Sequence, residues 1–120
     1  MKTSAKKASR AFLLHNLFGT KRDSCTSRGN ALYSYTTAIA AWKGPILIVN
    51  ESKYSATTSR HQHALRLELS YSAPELVIKV NDIRMGSDRH DLINAALEAV
   101  DKMDSSAYDV DTIKYDLMNG

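Results

Sequence analysis

The chain has 120 residues, 43% hydrophobic and 24% charged, and a single cysteine, Cys25. Such a chain can bury a core, and its composition is ordinary for a globular domain; one thiol excludes an internal disulfide and a multi-thiolate zinc site. The net charge of +3 hides a gradient: residues 1–30 carry seven Lys/Arg against Asp23, residues 31–87 six against four acids, and residues 88–120 three against eight. The basic head suits phosphate, which attracts Lys and Arg by Coulomb forces and counterion release.

The start, "MKTSAKKASR", is basic, and only "AFLL" separates it from His15 and Asn16, which is too short and polar for a signal peptide. Residues 1–8 read as a flexible basic arm on a single domain spanning 1–120. No run approaches the roughly 18 apolar residues that suggest a membrane span, so no membrane contact is expected. The unpaired thiol fits a reducing cytoplasm.

In chain order, "SRAFLLHNLFG" predicts a short helix, with Ser9 as N-cap, Gly19 as stop, and Phe12, Leu13, Leu17 and Phe18 on one side. "TKRDSCTSRGN" has no periodicity and reads as an exposed loop. Tyr33, Tyr35, Thr37 and Ile39 then alternate with smaller residues, the period of a strand. Lys43 and Gly44 turn the chain into "PILIVN", with Pro45 at the strand entry, and the pair makes a hairpin. A further strand is "APELVIKVND", where Leu76, Ile78 and Val80 oppose Val77 and Lys79. "SDRHDLINAALEAVDKM" is the best helix, with Leu92, Ala96, Val100 and Met103 in a stripe and Ser87 or Asp88 as cap. "YDVDTIKYDLMNG" places Val110, Ile113 and Leu117 on a terminal helix.

The polar stretch "YSATTSRHQHALRLEL", residues 54–69, holds five hydroxyl side chains, two arginines and two histidines. Ser59 and Gln62 form a capping-box pattern, which predicts a helix from near Ser59 with Ala64, Leu67 and Tyr71 on one face. The alternative is a strand over Leu65–Tyr71. On a helix His61 and His63 lie about 200° apart and cannot chelate together, so no metal is expected. A hydroxyl nucleophile beside His61 lacks a G-x-S-x-G elbow and an obvious orienting carboxylate. Arg60 near a helix N-terminus suits an anion better. Trp42, Tyr33, Tyr35 and Tyr54 are aromatic groups able to stack bases, though strand aromatics are more often core.

Residues 33–65, "YSYTTAIAAWKGPILIVNESKYSATTSRHQHAL", resemble a family of small uncharacterised proteins of phages and prokaryotic mobile elements. The family shares a Tyr-x-Thr-x-Ile-Ala strand followed by Tyr-Ser-x-Thr-Thr-Ser-x-His-Gln. The resemblance implies a phage accessory role, with nucleic acid or a host defence system as target, and brings no catalytic residues.

The expected fold is a single α+β domain, a small antiparallel sheet (hairpin plus an additional strand) with helices packed on one face. The expected function is non-enzymatic binding of nucleic acid or a nucleoprotein in the host cytoplasm, without cofactor or metal. Its phosphate contacts are Arg10, Lys21, Arg22, Arg28, Arg60 and Arg66. One alternative is an anti-CRISPR-like inhibitor docking on a host defence protein, with Asp101, Asp104, Asp109, Asp111 and Asp116 mimicking nucleic acid. The other is a phosphoester-cleaving enzyme using His61. Homo-oligomers are compatible with either binding mode.

Overall fold

The computed structural model describes residues 9–10, 12–13, 25–28, 30–70, 74, 76–103 and 109–119. They form strands β1 (Cys25–Arg28), β2 (Ala31–Ser34), β3 (Thr37–Lys43), β4 (Ile46–Asn50) and β5 (Leu76–Val80). The helices are α1 (Ala56–Leu69), α2 (Arg89–Asp101) and α3 (Val110–Asn119), and residues 9–10 and 12–13 are also helical. The sheet order is β1-β2-β3-β4-β5.

The first four strands are an antiparallel meander built on tight turns. Ser34 faces Thr37 across a two-residue turn whose first residue, Tyr35, has φ +55°. Lys43 faces Ile46 across Gly44 (φ +58°) and Pro45, and glycine at the first of these positions adopts the left-handed backbone without a Cβ clash. Between them the register slips: Leu32 pairs with Ala40 but Tyr33 with Ala38, so Ile39 is a bulge and packs on the same side as Ala40. β5 then joins β4 in parallel, from Ile46 opposite Leu76 to Asn50 opposite Val80. Parallel neighbours need a long crossover, and α1 supplies it.

The α+β arrangement is the one the sequence predicts, with differences in detail. The sheet is mixed rather than antiparallel, because the crossover returns the chain alongside β4. Helices cover both faces rather than one. On one face α2 and α3 bury Leu92, Ile93, Ala96, Val100, Ile113 and Leu117 against Ala41, Ile48 and Ile78. On the other, Phe12, Leu13 and Leu65 lie over Cys25, Leu32, Ile39, Trp42, Leu47 and Val49. Every residue of β4 is buried, and every residue of β3 except Lys43, as a doubly covered sheet requires.

Part of the expected exposed loop is strand β1, and Cys25 on it is fully buried. The alternation Tyr33–Ile39 runs through the turn at Tyr35 and so spans two strands. Leu17, Phe18, Gly19 and Tyr71 lie outside the described residues. In the C-terminal part Asp88 caps α2 in a reciprocal box with Asp91, and Asp109 accepts from Thr112 N at the start of α3.

Candidate functional site

The polar stretch is a clasp before it is anything else. α1 begins at Ala56, three residues ahead of the expected start: Ser55 is the N-cap and accepts from Thr58 N at 3.2 Å, while Ser59 already sits in the first turn. Gln62 therefore makes no capping box. Its Nε2 reaches out of the helix to the carbonyls of Asn50 (2.8 Å), the last residue of β4, and of Ser52 (2.9 Å) just beyond it. Asn50, 1% exposed, donates to Ala38 O and Tyr54 Oη, and its Oδ1 accepts from Ser52 N. Ser52 Oγ and Tyr54 Oη hold Ile83 N and O, and Thr37 Oγ1 holds Gly86 N. One set of side chains thus fixes the exit of β4, the start of α1 and the loop 81–88.

A second chain of hydrogen bonds ties α1 to the β2–β3 turn. Ser34 Oγ lies 2.7 Å from His61 Nδ1 and 2.9 Å from Thr58 Oγ1, and Ser55 Oγ donates to Thr58 Oγ1 at 3.2 Å. A neutral imidazole protonated on Nε2 accepts from Ser34 and completes a run of donors from Ser55 through Thr58. Burial, and then the charge of Arg60, hold the His61 pKa below its ordinary 6.5, which favours that neutral form. A serine–imidazole contact is nucleophile geometry, but Ser34 is 1% and Thr58 5% exposed, so the hydroxyls face protein rather than substrate. Ser34 was invisible to sequence reasoning because it lies 27 residues from His61.

The basic residues divide. Arg60 and Arg66 are exposed on α1, and Arg60 donates to Thr57 Oγ1 at 3.4 Å. Arg10 is committed to Glu68, Nε to Oε1 at 3.1 Å, with the Glu68 side chain 8% exposed. Lys21, Arg22 and the side chain of Arg28 lie outside the described residues. The outward arc of α1 is Ala56, Ser59, Arg60, His63, Arg66, Leu67 and Ser70. It carries no carboxylate, since the helix's one acid, Glu68, turns inward. Leu67, expected on the core face, is 53% exposed, because Thr58, His61, Gln62, Leu65 and Glu68 take the inward arc. His61 is buried and His63 exposed, so the two diverge as a helix demands.

Of the aromatic candidates, Trp42 is buried and donates to Phe12 O, Tyr54 belongs to the clasp, and Tyr33 packs against the α2–α3 core. Tyr35 is different: 60% exposed at a turn, its ring 6.2 Å from that of His61. Among the acidic-tail residues, Asp101 pairs with Lys114 and Asp109 caps α3, while Asp104 lies outside the described residues. Burial pushes the Cys25 thiol up to about 12, which makes it unreactive.

A family model described as a family of unknown function, DUF8033, matches residues 1–74. The chain belongs to that family. No curated protein and no solved structure matches. The DUF8033 segment contains the basic head, β1–β4, α1 and the Ser34–His61 tie, whereas β5, α2 and α3 follow it. The clasp crosses that boundary at Ile83 and Gly86.

Proposed function

We propose that this protein is a non-enzymatic nucleic-acid-binding module that uses the outward arc of α1. The observation that supports this reading best is a helix face bearing Arg60, His63 and Arg66 with its only carboxylate turned inward. The first 30 residues add a net +6, and Tyr35 supplies an exposed ring one residue along from Ser34, the partner of His61. Arginines position phosphates and an exposed aromatic stacks bases, so the two residue types serve one ligand. The setting is that of a small phage accessory protein in the host cytoplasm, as the resemblance implies. An inhibitor acting through the acidic tail has less support, because Asp101 and Asp109 already serve the fold. Phosphoester cleavage has less as well, with Ser34 and Thr58 enclosed.

Titration of labelled oligonucleotides at rising salt tests the proposal. Affinity falls steeply with salt, and Arg60→Ala and Arg66→Ala each reduce the logarithmic salt slope by about one. Salt-insensitive binding, or none at micromolar protein, refutes it.

A further inference from the structure

β5 ends the sheet, and among the described residues it pairs with β4 alone. In a strand both polar backbone groups of a residue point to the same side, and successive residues alternate. Val80 O accepts from Glu51 N at 2.8 Å, so Val80, Ile78 and Leu76 face β4. Val77 and Lys79 then aim their N–H and C=O groups away from it, with no partner among the described residues.

Beside this edge runs a groove of about 710 Å³. One wall is Lys79 to Arg84, with Ser87. The other is a stripe of α2 formed by Asp91, Asn94, Ala95, Glu98 and Ala99, continued by Lys102 at the helix's C-cap. The helix also packs on α3. The stripe has a negative residue near its N-terminal end, a positive one at its C-terminal end, and a second acid, Glu98, between its two alanines.

We propose that this face receives a second copy of the chain, the two β5 strands pairing antiparallel about a two-fold axis at Ile78. That axis sets Val77 against the partner's Lys79, and the outward backbone groups of both satisfy each other. It also runs the α2 stripes in opposite directions, so that Asp91 meets the partner's Lys102 at each end and Glu98 falls opposite the partner's Ala95 rather than opposite its own copy. A two-fold interface must be self-complementary, and opposite charges at opposite ends of one stripe meet that condition. A foreign peptide would use the same strand edge without needing that symmetry. An edge lysine ordinarily discourages strand pairing. Here Glu51 Oε2 lies 3.8 Å from Lys79 Nζ, and the register opposes Lys79 with valine rather than lysine.

Sedimentation equilibrium of the full chain across its accessible concentration range tests this, with circular dichroism as the check on folding. The expected result is a reversible dimer. Lys102→Asp, which places two carboxylates at each end, weakens it about tenfold or more. Lys79→Pro, which deletes an outward N–H and spares the ladder to β4, leaves a folded monomer. If Lys79→Pro does not fold, Lys102→Asp alone decides. A monomer mass at every concentration, or a dimer that withstands either variant in folded form, overturns the proposal.

Discussion

The two faces of the sheet are held by different physics. Under α2 and α3 the cluster is apolar throughout, from Ala31 to Leu117. Under α1 the apolar cluster is smaller, and the helix adds Thr58, His61, Gln62 and Glu68 to the buried set. Burial of area is tolerant of which hydrophobic group fills it, whereas a buried polar group must meet a particular partner. The α2–α3 face therefore supplies most of the cohesion, and the α1 face supplies position: it fixes where Tyr35, Arg60 and Arg66 stand.

The sharpest way to break that contrast is to remove side chains and then refill the space. Leu92 is fully buried, and Leu92→Ala is expected to cost about 3 kcal/mol in denaturant unfolding, while Leu92→Met costs under about 1.5 kcal/mol because volume is what matters there. Gln62→Ala is expected to cost about 2 kcal/mol, since Asn50 O and Ser52 O lose their donor. Gln62→Leu should recover little of that loss. Equal rescue on both faces would mean that the α1 face is ordinary core.

The same contrast explains what could be read from sequence. The strand at Leu76–Val80, the α2 stripe with its Asp88 cap and the Ile113–Leu117 helix were legible, because periodicity and local capping specify an apolar face from nearby residues. Arg60 and Arg66 were legible as exposed basic residues on a helix. The partners of Gln62 and His61 were not: they sit at Asn50, Ser52 and Ser34, and a hydrogen bond between distant residues leaves no period. Ser59 and Gln62 matched a capping box for the same reason, since the local pattern cannot reveal that Gln62 is needed elsewhere. Strand β1 was missed because four residues with Ser, Thr and Arg lack an apolar alternation.

The polar face should also titrate. His61 has a folded pKa below 6.5, so the unfolded chain takes up the proton first as pH falls. Stability is then full above 6.5 and declines as pH drops from there through the folded value. His61→Gln should lose that limb in thermal unfolding followed against pH. The caps on the other face act in a lower window. Asp88 is held below 3.8 first by the backbone N–H of Asp91, and Asp109 by the Thr112 side chain, so what they contribute is kept above 3.8 and lost only in stronger acid. A decline near 6.5 that survives His61→Gln would locate the titration elsewhere.

The smallest expected change in stability, at Tyr35, carries the most about function. A residue with a Cβ at φ +55° costs roughly 1–2 kcal/mol, and glycine avoids this at an entropic cost of roughly 0.5–1 kcal/mol. Tyr35→Gly is therefore expected to stabilise the fold by about 0.5 kcal/mol. The ring is 60% exposed, so little packing is lost with it. If the ring stacks a base, the same variant weakens single-stranded oligonucleotide binding by about 1 kcal/mol or more, and Tyr35→Trp retains binding. Stability gained while affinity is lost would mark a strained residue kept for its ligand. Stability gained with affinity unchanged would return the binding surface to the arginines of α1 alone.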